Sequence, residues 1–236
     1  MFTGIIKEIG KINKIINKGK DIEIEIESKA LIKNIKIGDS ISVNGCCLTA
    51  KSFASNSFIS DISFNTLDST TFKYARIGEI VNLEDSLTPT DKLGGHFVTG
   101  HIDSTDKILK ISKIGSSYKL DIELSPETLP YITPRGSISI EGISLTVTEV
   151  RGNYFCVVII PHTFTSTNMK FKRVGDYVNI EVDLISRYIV HILKNYNYHS
   201  INHLLQEENI QNENNKSIEL RNKLLNERLK KYGFIK

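Results

Sequence analysis

The chain contains a copy of itself. Residues 40–87 lie over residues 137–184 without a gap, Thr49 over Thr146, a constant offset of 97 residues. SISVNGCCLTA faces SISIEGISLTV, RIGEIVNLEDSL faces RVGDYVNIEVDL, and 19 of the 48 paired positions are identical, too many for chance in an ungapped overlay. Upstream, Thr3-Gly4-Ile5-Ile6 faces Thr99-Gly100-His101-Ile102 at an offset of 96, and IEIEI from Ile22 faces LDIEL from Leu120 at an offset of 98. A period this long far exceeds a solenoid repeat, so each copy should be a domain with its own core.

Composition narrows the partners. The 236 residues are 40% apolar and 24% charged, which suits two globular domains rather than a disordered or fibrous chain. With 30 basic against 27 acidic residues, the net charge of +3 gives no broad field to hold nucleic acid or an anionic membrane. Small molecules remain as the expected ligands. Three cysteines, two of them adjacent (Cys46 and Cys47), make no disulfide framework and point to a reducing compartment, so the expected location is cytoplasmic. The sequence shows neither an apolar run of membrane-spanning length nor the pattern of a signal peptide. His96 and His101 stand five apart without further ligands, a poor zinc site. Gly94-Gly95 lacks the flanking residues of a phosphate loop. No metal and no bound coenzyme are expected.

Within each copy, segments such as IEIEIES, SISVNG, SFISDISF and IVNLE alternate apolar and polar residues and break at Gly, Asn, Asp and Ser. That pattern predicts an all-β domain, a small antiparallel barrel or sandwich. Short helical stretches are predicted at 31–34 and 69–74, with counterparts at 126–131 and 166–171. After Asp183 the period changes, and Ile185, Ile189, Ile192, Leu193 and Tyr196 form one apolar stripe of a helix that wants a partner such as a second copy of itself. The expected division is 1–96, 97–185, a helix over 186–206 for oligomerisation, and a polar tail over 207–236 with a possible last helix along Leu220, Leu224 and Leu229.

MFTGI at the start, NGCCLT at 44–49, GGHFVTGH at 94–101, GISLTV at 142–147 and VNIEVD at 178–183, in this order within a duplicated chain, resemble the riboflavin synthase α-chain family over residues 1 to about 195. The resemblance implies two similar Greek-key β-barrels followed by a carboxy-terminal α-helix, assembled as a homotrimer. It implies an enzyme that takes two molecules of 6,7-dimethyl-8-ribityllumazine and moves a four-carbon unit between them, giving riboflavin and 5-amino-6-ribitylaminouracil. Association with a lumazine synthase shell is a further possibility the family raises. Related two-barrel proteins bind lumazines or flavins as light-emission antennae without turnover, which is the rival reading. A reaction between two copies of one substrate needs two similar pockets, which a gene duplication supplies, and holding the pair face to face removes a large entropic barrier.

Where the copies differ, chemistry is expected. Cys47 faces Ser144, Ile5 faces His101, and Ser86 faces Asp183. Cys47 is suited to nucleophilic assistance as a thiolate, and Cys46 should point into the barrel wall, because strand side chains alternate. His101 with Ser144 would form an acid–base pair in the second pocket, handling protons at the C7 methyl group. Asp183 matches a family position of functional interest and is also placed to cap the following helix. Thr49 and Thr146 would hydrogen-bond the ligand from equivalent strands. The resemblance implies a remaining wall of Gly4, Ile5, Ile6, Leu48, Asp61, Ile62, Ser63, Phe64, Asn65, Thr66, Gly100, Ile102, Arg135, Leu145, Val158, Ile159, Ile160, Pro161, His162 and Thr163. Asn65 stands where the family often has Glu, and Arg135 where Lys is common; Arg keeps the charge but changes the geometry.

Overall fold

A computed structural model describes residues 1–195, 224–227 and 229. Met1–Val190 form one compact unit that holds both copies, and His191–Lys236 form a second. Tyr196, the rest of the expected helix to residue 206, and most of the tail, Leu220 included, lie outside the described residues.

The first copy contributes β1 (Glu8–Lys18), β2 (Asp21–Glu27), β3 (Ser40–Val43), β4 (Cys46–Thr49), β5 (Ser52–Ala54), β6 (Ser57–Ile62) and β7 (Ile80–Asp85). The second contributes β8 (Ser104–Ile114), β9 (Ser117–Glu123), β10 (Ser137–Ile140), β11 (Ile143–Arg151), β12 (Tyr154–Ile159) and β13 (Tyr177–Val182). The second copy closes into a six-stranded antiparallel barrel in the order β10-β11-β12-β9-β8-β13. The first is a seven-stranded sheet, β4-β3-β7-β1-β2-β6-β5. Its two end strands, β4 and β5, are the halves of what is β11 in the second copy, separated only by Ala50 and Lys51. Across that break Lys51 N donates to Ile59 O at 2.8 Å, and Ser60 Oγ donates to Thr49 O at 2.8 Å, so this sheet also comes round on itself.

Alternation explains the two cores. β1 and β8 share the same order of buried and exposed positions, and β2 turns Ile22, Ile24 and Ile26 inward while its acidic residues face out. One buried cluster gathers Ile12, Ile24, Ile41, Phe58 and Leu83, the other Ile108, Leu120, Ile138, Phe155 and Ile180. The ladders correct one alignment. Ile22 pairs with Ile62 and Tyr118 with Ile159, so Ile22 corresponds to Tyr118, not to Leu120. A slip of two residues keeps every side chain on its face, which is why sequence alternation could not expose it. Three of the expected helical stretches are 3-10 turns at Leu31–Lys33, Thr71–Tyr74 and Asn168–Phe171, and the fourth narrows to Leu129–Tyr131. Before two of these lie unpredicted single-turn helices, α1 (Phe64–Ser69) and α2 (Pro161–Ser166).

The copies meet through their hairpin turns. Asn44-Gly45 and Glu141-Gly142 have positive φ at both positions (49° and 84°, 52° and 79°), the two-residue turn that matches strand twist. A Cβ on Gly45 would stand 2.7 Å from Gly142 N, so the turns touch back to back. Around them a buried polar network crosses between the copies. Asn82 Nδ2 donates to Glu141 O and to Asn168 Oδ1, both at 2.9 Å, and Asn179 Nδ2 donates to Asn44 O at 2.9 Å. Glu141 Oε1 accepts from Asn179 N at 2.8 Å, and Oε2 accepts from Asn168 Nδ2 at 2.7 Å and pairs with Lys172 Nζ at 2.9 Å.

One carboxylate of the second barrel gives a pH prediction. Asp106 on β8 is 4% exposed. Burial pushes its carboxyl up to about 6, opposed by a hydrogen bond from Ser104 and reinforced by Glu123 and Glu127. Because the folded value lies above the unfolded one, the stability tied to this proton is complete below about pH 4 and is lost as pH rises through about 6. Asp106→Asn, which keeps an acceptor for Ser104, should therefore be more stable than the parent at pH 8 by roughly 2–3 kcal/mol and no different at pH 4. Urea unfolding at the two pH values checks this, and equal midpoint shifts at both would refute it.

Candidate ligand-binding sites

Each copy begins with a Thr-Gly segment that is tied to its own last strand and then reaches across to the other copy. Thr3 donates to Glu84 Oε1 from N (2.7 Å) and from Oγ1 (2.6 Å), and Gly4 N donates to Oε2 at 3.0 Å. Thr99 and Gly100 repeat this on Glu181 at 2.7, 2.6 and 3.0 Å. Burial raises both carboxyls above their usual range while these donors pull the other way. Beyond the anchor, Gly4 O accepts from Ser144 N at 2.7 Å in the second copy, and Gly100 O accepts from Cys47 N at 2.9 Å in the first. Ile6 then packs on the second core and Ile102 on the first. Phe2 and Val98 join the two segments by a pair of backbone hydrogen bonds of 2.7 and 3.1 Å.

Glycine is required where the segments cross. Gly4 (φ 76°) and Gly100 (φ 85°) have left-handed backbones, and added Cβ atoms would stand 2.6 Å from Ser144 Cβ and 2.4 Å from Cys47 Cβ.

Within one chain this exchange sets one expected pair apart. The segment carrying His101 lies on Cys47 of the first copy, and the partner of Ser144 is a different histidine: His96 Nδ1 is 2.7 Å from Ser144 Oγ. His96 is buried, its Nε2 has no hydrogen-bond partner among the described residues, and burial lowers its pKa while the charge of Asp183 raises it. The sequence singled it out only as half of a weak zinc pair. Cys47 Sγ has no hydrogen-bond partner among the described residues. Its neighbour Cys46 is buried in the first core with its thiol pushed up to about 12 by burial, as alternation predicts.

The other candidate residues sort onto two open faces. In the first copy Cys47 is half-buried, Thr49 is exposed and Leu48 between them is buried. Beyond them Asp61, Ser63, Phe64, Asn65 and His101 are exposed, Thr66 is half-buried and Ile62 faces the core. Asp61 is held by Lys51 at 2.9 Å, which also pairs with Glu23 at 2.8 Å. Ser63 caps α1 by accepting from Thr66 N at 3.3 Å. In the second copy Ser144 is half-buried, Thr146 exposed and Leu145 buried, with Ile5, Val158, Ile160, Pro161 and His162 exposed, Thr163 half-buried and Ile159 inward. Arg135 is exposed at φ 68°, its N donating to Val147 O at 2.7 Å. Asp183 caps the helix that starts at residue 184, its Oδ1 accepting from Ile185 N at 2.7 Å and Ser186 N at 3.3 Å. That helix exposes Ile185, Tyr188, Ile189, Ile192 and Leu193. Among the described residues no group of three or more His, Cys, Asp or Glu is placed to hold a metal. Among the described residues no helix is long and apolar enough to cross a membrane.

Comparison with known proteins agrees with this architecture. The family model described as "Lumazine binding domain" matches twice, over residues 3–86 and 99–183. Riboflavin synthase of Photobacterium phosphoreum is 41% identical over 194 residues, covering 82% of this chain and 89% of the relative. Riboflavin synthase of Actinobacillus pleuropneumoniae is 42% identical over 193 residues, covering 82% and 90%. Among solved structures, LumP complexed with riboflavin superposes with a TM-score of 0.73 at 26% identity, covering 77% of this chain and 99% of LumP. LumP complexed with 6,7-dimethyl-8-(1'-D-ribityl) lumazine gives 0.71 at 25%, with the same coverage. Two lumazine-binding repeats and this likeness over four-fifths of its length place the chain in the riboflavin synthase family.

Proposed function

We propose that the protein is a riboflavin synthase, a transferase that converts two molecules of 6,7-dimethyl-8-ribityllumazine into riboflavin and 5-amino-6-ribitylaminouracil. The observation that carries this is a pair of equivalent faces with unlike centres. Thr49 and Thr146, and the backbone of Gly100 and Gly4, repeat from one copy to the other, while Cys47 stands in one and Ser144 with His96 in the other. Two matched frames suit two molecules of one substrate, and unlike centres suit unlike roles for them, donor and acceptor of the four-carbon unit. The ligand plane would lie against the strand edge, with Ile5, Val158 and Ile160 as the apolar wall of one site and Phe64 in the other. Asn65 and His162, at equivalent positions at the start of α1 and α2, would meet the ribityl hydroxyls. Asp183 would act through its charge on His96.

The faces are exposed in a single chain, and the helix after Asp183 presents an apolar stripe, which supports a homotrimer in which neighbouring subunits close each site; the free cysteines suit a cytoplasmic location. The likeness to LumP favours one other reading, a binder of lumazine or flavin without turnover.

Mixing the protein with 6,7-dimethyl-8-ribityllumazine and following absorbance and fluorescence separates the two. Riboflavin should accumulate well beyond the protein concentration, one for every two substrates consumed; stoichiometric binding with unchanged lumazine would establish the binder instead. Ser144→Ala and Cys47→Ser should each lower turnover by about 10-fold or more, the scale of one well-placed group in the transition state. If neither does, the unlike centres are not where the chemistry lies.

A further inference from the structure

We propose that Arg187, on the helix after Asp183, is a positioning residue for the first ligand site: through Asp103 it holds down the exchanged segment whose Gly100 and His101 border Cys47. The inference rests on the reading of that face as a ligand site.

The segment is short and pinned at both ends. At its start Thr99 and Gly100 hang on Glu181, and Gly100 O accepts from Cys47 N at 2.9 Å. At its end Asp103 closes back on the same last strand, its N donating to Ile180 O and its Oδ2 accepting from Val182 N, both at 2.8 Å. The carboxylate is then gripped from the helix, Arg187 Nη1 donating to Oδ1 at 2.8 Å and Nη2 to Oδ2 at 2.9 Å. Such a two-pronged contact fixes angle as well as distance, and with the Asp103 side chain only 18% exposed it is less screened than an open surface pair. His101 lies between the two pins, so its place beside the first face is set by both.

The arginine is itself well placed to act as a strut. Its N donates to Asp183 O at 3.1 Å, in the turn that Asp183 caps. At about 100° per residue, Arg187 lies on the side of the helix opposite Ile185, Ile189 and Ile192, each of which is more than half exposed. The ion pair therefore holds the helix by its polar side and turns the apolar stripe outward, and whatever steadies that stripe steadies the first site through Asp103. The second site is tied differently. Gly4–Ile6 lies on Ser144 as Gly100–Ile102 lies on Cys47, but Lys7 stands in the place of Asp103, and carrying the offset on puts Thr90 in the place of Arg187. A lysine and a threonine form no ion pair, so of the two exchanged segments the one beside Cys47 answers to the helix.

Amide hydrogen exchange on the full-length protein reads the two segments separately, through the Cys47 amide bonded to Gly100 O and the Ser144 amide bonded to Gly4 O. Arg187→Met, which keeps the apolar stem, should speed exchange at Cys47 about 10-fold, the scale of a local opening, and leave Ser144 unchanged. Riboflavin formation should fall about 10-fold with it, since a small displacement of a positioning segment is costly. Arg187→Lys, which keeps the charge without the fork, should lie between parent and Arg187→Met on both readouts. In an Asp103→Asn background, whose amide oxygen still accepts from Val182 N, Arg187→Met should add nothing, because the arginine acts only through that carboxylate. An unchanged Cys47 amide, an equal rise at Ser144, or a full further effect in the Asp103→Asn background would overturn the proposal. A parent that makes no riboflavin but shows the response at Cys47 alone would defeat the synthase reading and leave the positioning role standing.

Discussion

Lys172→Ala is expected to lower the stability of the protein by about 3–5 kcal/mol, the usual cost of leaving a buried charge without its partner. The Glu141 side chain is fully buried, and Lys172 is nearly so. Desolvation alone would lower the pKa of that lysine, yet the carboxylate of Glu141 holds it above its usual value. Removing the ammonium leaves a carboxylate that also has to satisfy Asn168 and Asn179 from the tip of a left-handed turn. The first copy shows how the same place is built without charge. Its equivalents are Asn44 and Ala75, and Asn44 Oδ1 accepts from Asn82 N at 2.7 Å much as Glu141 Oε1 accepts from Asn179 N. Asn also tolerates positive φ better than Glu. The double variant Glu141→Asn/Lys172→Ala should therefore regain most of what Lys172→Ala loses. Urea unfolding of the three proteins decides it, and a double variant no more stable than the single one would show that the pair is not the reason for the loss.

What the sequence made legible was whatever repeats locally. The 97-residue offset, the strand alternation, the inward Cys46 and the cap at Asp183 all follow from spacing along one segment. What it hid was contact between segments. Thr3–Ile6 and Thr99–Ile102 align as equivalents, and nothing in an alignment says that each lies on the other copy's barrel. His101 therefore reads as the partner of Ser144, whereas within the chain the histidine on that serine is His96, which comes from the link between the copies and has no equivalent to draw attention to it. α1 and α2 escaped notice because six residues carry too little periodicity, although Ser63 as cap and Pro161 at the first turn were readable signs. The interruption of β11's equivalent at Ala50 and Lys51 likewise has no clear mark in a strand pattern.

Because both candidate sites depend on the exchanged segments, Gly100→Ala should be among the most damaging single-methyl changes in the protein. Gly100 sits at φ 85° with Cys47 Cβ, N and Cα at 2.4, 2.8 and 3.0 Å from where its own Cβ would be. None of the three can rotate away, since two are backbone atoms and the Cβ is fixed to them. The left-handed conformation adds about 1–3 kcal/mol of strain for a non-glycine residue, so the segment should lift off β4 rather than absorb the clash. Lifting breaks the 2.9 Å bond from Cys47 N to Gly100 O and withdraws Ile102 from the first core. Thr99 would stay anchored to Glu181, since its 2.6 and 2.7 Å bonds lie on the far side of the crossing. A displacement of about 1 Å at a substrate-positioning segment can cost about 100-fold in rate, so riboflavin formation should fall by about that factor in a protein that still folds. Two measurements belong together here, steady-state turnover and amide hydrogen exchange at Cys47. The expected result is slow turnover with a Cys47 amide that exchanges freely, and full turnover with that amide still protected would mean that the segment accommodates a methyl group and does not position the ligand.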